Sequence, residues 1–556
     1  MRPWLLALVT VGCSHAIDPS GGTGGSSLTG DGGTALDGGF DAPDLARPPK
    51  PPRPSPIAAE NQLPGSTGWK LTAKSAGLYG YSDRTSYAPG DTVAVHAAAD
   101  AATTATWELW RMGYYGGTLG RRVAAGGPVS VPLATPAVLD SSTGMVSAPW
   151  PTTFSIALDP SLVNGIYLVK LTAATAQRYV IFVVREPAQG APIVWPVAFN
   201  TYQAYNAWGG TSLYDNRRSD WKPWHAFKVS FDRPYEQGDG AGQYFFADRD
   251  FTTFAESQGY DIDYLADSDL DVDPHVLAGR ALVVLQGHTE YWTADERTAV
   301  NGAVGDGTNL VVFGANDLYW QVRYESTNGN PRRVVVCYKD YVSIDPFQST
   351  DPTHVTDLWR NLGQAENALV GVMFGEWLWS DAPLVIDDPS SWLWSGAHVS
   401  PGAFIPGLCG FEIDRRYANG SEPAGLAEVG RCSGENHQAQ LAMGQSTIYT
   451  APSGATVFAS GTVSWSQALA AAGQWDPRIQ QATSNLFARL AGTGTVGDPP
   501  APLTLPPGLP APAQLPGVVV STVTAALTAP TALAMAPGGD VVVADGNRIV
   551  RVTPST

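Results

Sequence analysis

The sequence predicts a multidomain protein: an N-terminal β-sandwich (Ig-like), a central α/β domain with a mainly parallel sheet, and a C-terminal partial β-propeller blade. Three observations carry this. At 556 residues the chain is too long for one core. Residues 61–186 hold short alternating runs divided by Pro-Gly, Gly-Gly and Asn-Gly turns, which reads as antiparallel strands. Residues 187–492 alternate strand-like with helical runs, the rhythm of a parallel sheet.

The chain begins with one basic residue, Arg2, before a short apolar run that ends at Val11-Gly12-Cys13-Ser14. This is a signal-peptide layout, too short to span a bilayer. Its end resembles a bacterial lipobox, in which Cys13 becomes the lipidated first residue. Residues 1–13 are thus read as an export signal, and the protein as a surface or periplasmic lipoprotein, otherwise secreted. Residues 14–60 are rich in Gly, Ser, Asp and Pro, cannot bury a core, and are expected to form a disordered tether.

The formal charge is −18, with no basic cluster. That argues against nucleic acid and against anionic membrane surfaces as partners. Contact with a membrane is expected only through the lipid anchor. No C-x-x-C pair occurs, which disfavours a thiolate zinc site. Cys409 and Cys432 are candidates for a disulfide in an oxidising compartment.

In 61–186 the runs Thr92 to Ala98, Thr106 to Arg111, Thr153 to Leu158, Gly165 to Thr172 and Arg178 to Val184 suit a sandwich of about seven strands. In 187–492, strands are expected at Pro192 to Ala198, Asp261 to Tyr264, Ala281 to Gln286 and Asn309 to Gly314. Helices are expected near Asp248 to Gln258, Ala294 to Val304 and Asp476 to Ala491. Residues 493–514 form a Pro-rich linker. In 515–556 the run Pro530 to Asp545 resembles one blade of an NHL-type propeller. One blade cannot close a core, so the run implies a truncated chain or a remnant blade.

Ligands in open α/β sheets sit past the carboxyl ends of strands. Past Ala281 to Gln286 comes Gly287-His288-Thr289-Glu290-Tyr291-Trp292. If that loop is extended, His288 and Glu290 project to one side. The alternative is a loop that caps the next helix, with Thr293 as N-cap and Glu296 three residues on. The following strand ends at Gly314-Ala315-Asn316-Asp317. There Asn316 is either a donor to an oxyanion or a left-handed turn residue. A third strand end supplies Tyr202, Tyr205 and Tyr214, three phenols within thirteen residues. Hard oxygen donors of this kind suit ferric iron better than zinc; the alternative is aromatic packing.

Four ordered elements carry a family resemblance: Thr201-Tyr202-Gln203-Ala204-Tyr205-Asn206, Gly287 to Trp292, Gly314 to Trp320 and Gly410-Phe411-Glu412-Ile413-Asp414-Arg415. Over roughly 190–490 they resemble the large (β) subunit of N,N-dimethylformamidase and its C-terminal domain family. The upstream Glu108 to Gly117 stretch resembles the β-domain that often precedes it. The resemblance implies a mononuclear ferric ion, Fe(III), bound by two tyrosines and one glutamate. Glu290 matches the carboxylate ligand and Tyr214 one phenolate. The second comes from the Tyr202/Tyr205 element, with Tyr205 favoured and Tyr202 the alternative. His288, Asn316 and Glu412 match polar residues beside the metal. The implied reaction is hydrolysis of an amide-like C–N bond in a small substrate.

A covalent hydrolase is disfavoured. No G-x-S-x-G elbow occurs, and no Cys follows the key strands where amidotransferase-like folds of this shape carry a nucleophile. Cys337 reads as a strand-interior residue. The rival reading is a non-catalytic surface protein that binds glycans. Eleven of the eighteen tryptophans lie between Trp195 and Trp394, and exposed indoles would stack on sugar rings.

Overall fold

A computed structural model describes residues 53–503, except 74, 187, 189, 328, 401, 472 and 473, together with strands 530–535, 541–545 and 548–552. Cys13 and the leader and tether readings for residues up to 52 lie outside the described residues, as does half of the 493–514 linker. Among the described residues no helix is long and apolar enough to cross a membrane.

The chain is β-rich, with several sheets and few helices. Two sheets share the N-terminal core. In the three-stranded sheet, Thr92–Ala99 lies between Leu78–Ser82 and Phe154–Ala157. The five-stranded sheet runs Ser86–Tyr87, Gln177–Val184, Gly165–Ala173, Thr103–Met112, Gly120–Val131. Alternate side chains meet between them: Leu78, Val93 and Val95 from one, Leu109, Val169 and Phe182 from the other.

The second face of the five-stranded sheet is not wet. Every residue of Gln177–Val184 is buried. Trp110, Ile166, Leu168, Tyr179, Ile181 and Val183 belong to the same core cluster as Ile193, Trp195 and Phe251 of the central region. The apolar run Tyr179 to Val184 is the sequence trace of a strand covered on both faces. A buried ion pair crosses the same seam. Two guanidinium nitrogens of Arg111 lie 2.9 Å from the two carboxylate oxygens of Glu256, and both side chains are fully buried. Asn61 and the Tyr264 hydroxyl donate to Glu256 as well. Burial pulls the Arg111 pKa down, but Glu256 outweighs it and holds the guanidinium charged.

Residues 53–60, expected within the tether, are ordered. Arg53 pairs with Glu186 and Asp261. The short helix Pro56–Glu60 starts on a Ser55 cap and buries Ile57 and Glu60. Glu60 accepts from the Tyr115 hydroxyl and from Arg121 at 2.7 and 2.6 Å. The partners that order this segment are remote in sequence, which is why its composition reads as tether.

The central sheet has nine strands. Ile262–Ala266, Ile193–Val197, Leu282–Gly287, Asn309–Gly314 and Thr456–Ala459 are parallel neighbours in that order. Leu441–Thr450, Ala427–Glu435, Ala382–Ile386 and Phe404–Cys409 continue the sheet with antiparallel pairings. The expected mainly parallel sheet is therefore parallel only on one side. The parallel strands are near-continuous apolar runs, whereas Ala427–Glu435 and Leu441–Thr450 alternate between buried and exposed positions. That is the pattern of strands with one wet face. The helices Arg249–Ser257, Ala294–Gly305 and Pro477–Ala491 form close to where periodicity places them.

Two small sheets bring distant chain to the strand ends. One orders Lys228–Ser230, Asn330–Val336, Trp320–Thr327 and Tyr291–Thr293; the other pairs Met373–Trp377 with Glu412–Arg415. At the C-terminus, Pro530–Met535, Val541–Asp545 and Arg548–Val552 make a three-stranded antiparallel sheet. Cys409 and Cys432 are buried free thiols rather than a disulfide.

Candidate active site

Backbone geometry at two neighbouring strand ends sets the site. Gly287 closes its strand with φ 83°, and a Cβ there would meet Asp248 Oδ1 at 2.9 Å. The loop beyond is pinned from both sides. Thr289 N donates to Asp317 Oδ1 at 3.1 Å, and Glu290 N donates to Thr201 Oγ1 at 3.1 Å. At the next strand end a Cβ on Gly314 would meet the Asp317 carboxylate at 2.7 Å and the Gly287 carbonyl at 2.8 Å. Asn316 has φ 57°, and its N–H donates to Asp414 Oδ1 at 2.7 Å. The loop also caps the next helix: Glu296 N donates to Thr293 Oγ1 at 3.2 Å, and Thr293 N to Glu296 Oε2 at 2.8 Å. Capping and site construction are thus performed by one segment.

Glu290 is the centre of the cluster. The Tyr205 hydroxyl donates to its Oε2 at 2.9 Å, and the Tyr214 hydroxyl donates to its Oε1. The two rings stack with centroids 4.2 Å apart. His288 Nε2 lies 3.4 Å from Glu290 Oε2 and 2.7 Å from Glu412 Oε2. The closer contact is off the ring N–H direction, so His288 Nε2 and Glu412 Oε2 are near as charges but unsatisfied as hydrogen-bond partners. Asn316 Nδ2 approaches Glu412 Oε1 at 3.3 Å, while Asn316 Oδ1 has no protein partner. Tyr205 and Tyr214, partly buried, and His288, Glu290, Asn316 and Glu412, buried, therefore share one cluster.

Tyr202 does not join it. This residue lies inside the helix Phe199–Ala204, and its hydroxyl donates to the buried Asp248. Tyr205 is the residue that caps the helix, where the chain turns away. One helical turn separates the two phenols, and the end of the helix falls between them.

Lys339 was not visible to motif reading. Its ammonium sits 3.2 Å from the Tyr214 ring centroid and 5.2 Å from the rings of Tyr291 and Trp320. The residue follows the Asn330–Val336 strand, so it too stands past a strand end, and that position was the available signal. Cys337 lies just after that strand rather than inside it. Burial pushes its thiol up to about 12, which leaves it a poor nucleophile. Asn316, Leu318, Lys339 and Phe411 all hold left-handed backbone around the site. For non-glycine residues this conformation persists only where the surroundings over-determine it.

The electrostatics follow from burial of this many acids. Burial, then the charge of Glu290, pushes the Tyr205 and Tyr214 phenols well above their ordinary range. Burial also raises the Glu290 carboxyl, against the pull of His288 and Lys339. Burial alone would lower His288, but Glu412, then Glu290 and Asp317, hold it up at about 9.

Among the described residues no three His, Cys, Asp or Glu side chains are arranged to hold a metal. A metal centre here needs the phenols. Two phenolic oxygens and a carboxylate that meet in this cluster fit a hard trivalent cation, which would displace the two hydroxyl protons that Glu290 now receives. Among the described residues the tryptophans form no broad exposed platform. Trp195, Trp292, Trp359 and Trp394 are core, and among the described residues only Trp379 is largely exposed, at 69%.

The sequence model of a family described as N,N-dimethylformamidase beta subunit-like, C-terminal, matches residues 106–480. The match begins on the Thr103–Met112 strand, inside the sandwich, and ends in the Pro477–Ala491 helix. No curated protein matches the chain. On a match that spans most of its length, the chain belongs to the N,N-dimethylformamidase beta subunit-like, C-terminal family.

Proposed function

We propose that this protein is an iron-dependent hydrolase of an amide C–N bond, exported and tethered to a membrane through Cys13. The observation that carries the reading is the convergence of the Tyr205 and Tyr214 hydroxyls on the two oxygens of Glu290. These three residues would hold a mononuclear ferric ion. When bound, that ion supplies Lewis-acid polarisation of a carbonyl and a lowered pKa for water.

The remaining residues have separable tasks. His288, held as an imidazolium between two carboxylates, orients the attacking water by donating to it. The Asn316 amide donates to the oxygen that gains charge as the carbonyl carbon becomes tetrahedral. Glu412, 2.7 Å from His288, takes a proton from the attacking water and passes it to the departing nitrogen. The balance is one water consumed: a C–O bond forms, the C–N bond breaks, one water proton goes to the leaving nitrogen, and the second, shed as the acid fragment ionises to carboxylate, goes to the freed amine or to solvent. Lys339, above the Tyr214 ring, offsets the negative charge gathered on the phenols.

Purified full-length protein from iron-replete cells tests this. It should contain about one iron per chain with a tyrosinate charge-transfer band in the visible, and release amine from simple amides. Glu290→Gln should lose both. Colourless, iron-free protein would overturn the reading.

A further inference from the structure

One partly exposed cluster of rings adjoins the site. Trp377 is the direct antiparallel partner of Glu412. Opposed residues project from the same face of a strand pair, about 5 Å apart at Cβ. The Trp377 indole therefore leaves the backbone beside the Glu412 carboxylate. Phe411 precedes Glu412 and would ordinarily point to the other face. Its φ of 51° breaks that alternation and brings its ring to 6.0 Å from Trp377, with 38% of the residue exposed. His437 stacks on Trp377 at 4.5 Å and 9°. Beside it stands Glu376, whose Oε1 is 4.0 Å from His437 Nδ1 and whose Oε2 accepts from Asn436 at 3.0 Å.

A large residue in left-handed backbone costs about 1–3 kcal/mol, and such positions concentrate where function requires them. Here the cost is borne by a ring that stays partly in solvent, so burial of that ring does not repay it. The ring instead extends an aromatic wall outward from Glu412.

We infer that this wall is a subsite for a planar, uncharged or cationic aromatic group on the amine side of the substrate, so that the substrate class is N-aryl amides. The inference rests on the hydrolase reading above for the side assignment, because Glu412 is the residue placed at the leaving nitrogen. The wall supplies π-faces for stacking, and Glu376 disfavours an anionic ring.

The test compares acetanilide with N-cyclohexylacetamide on the iron-loaded full-length protein. The two differ in ring planarity and in the basicity of the leaving amine, so the readout is the change in their kcat/KM ratio between parent and Trp377 variants. Trp377→Ala should lower the preference for acetanilide about tenfold, the scale of one good aromatic contact, while Trp377→Phe should keep most of it. A ratio unchanged in Trp377→Ala would overturn the subsite. If no amide is hydrolysed, calorimetric binding of acetanilide separates the two ideas. Binding lost in Trp377→Ala and kept in Trp377→Phe supports the subsite and sinks the hydrolase reading; no binding to the parent protein sinks the subsite.

Discussion

The rings of Tyr205 and Tyr214 stack 4.2 Å apart, and their hydroxyls reach opposite oxygens of one carboxylate, Glu290. Without a cation both phenols keep their protons, since burial and Glu290 hold them well above their ordinary range. Loading must then release protons, so iron affinity should rise with pH. Tyr205→Phe or Tyr214→Phe should weaken the visible band and lower activity by at least about a hundredfold, the scale of a lost transition-state interaction. Retention of full colour in either variant would exclude that phenol as a ligand.

Tyr202→Phe should behave differently. Its hydroxyl serves Asp248, so the variant should keep its iron and spectrum and lose about 1–3 kcal/mol of stability. Urea unfolding together with iron analysis reads both. Loss of iron with unchanged stability would reverse the assignment of Tyr202 and Tyr205.

Glu412→Gln removes the main influence that raises His288 above its ordinary value, against burial. In iron-free protein the imidazolium should then lose its proton at a lower pH than the parent's value of about 9. A proton-NMR titration of the imidazole reads this directly. An unmoved titration would mean that the 2.7 Å contact does not persist in solution.

Burial lifts the Asp248 carboxyl from 3.8 to about 7, against hydrogen bonds from Tyr202 and Gln286. The folded protein thus holds a proton that the unfolded chain gives up near pH 4. The stability this contributes is complete below that pH and is lost as pH rises to about 7. Asp248→Asn cannot ionise, so the difference between variant and parent should change by up to about 1.4 kcal/mol per pH unit across this window. Chemical unfolding at several pH values checks it; a constant difference would refute the shift.

Arg111→Met leaves the Glu256 carboxylate buried without its cation, which should cost about 3–5 kcal/mol. Adding Glu256→Gln should recover part of that loss. Thermal unfolding of the two proteins provides the comparison. Equal Tm values for parent and single variant would show that the pair does not brace the seam.

What was legible in the sequence follows the parallel strands. Leu282–Gly287 and Asn309–Gly314 are continuous apolar runs, so the residues after them, His288, Glu290 and Asn316, stood out. Glu412 lies on a two-strand ribbon outside the main sheet, and only its motif marked it. Lys339 follows a strand of mixed composition, where charge at Arg332 and Arg333 hides the boundary. Which of Tyr202 and Tyr205 reaches Glu290 depends on where a six-residue helix stops, and sequence signals place such boundaries poorly. The antiparallel half of the central sheet was missed because its alternating strands give weak apolar runs.

The strand Gln177–Val184, covered on both sides, makes the boundary near 187 a boundary in sequence only. A fragment cut there would present Trp195 and Phe251 to water in place of Tyr179, Ile181 and Val183. Such a piece should aggregate rather than report on the site. The sandwich and the central sheet are better regarded as a single part built on one shared core. A family match that starts at residue 106, well inside the sandwich, has that logic.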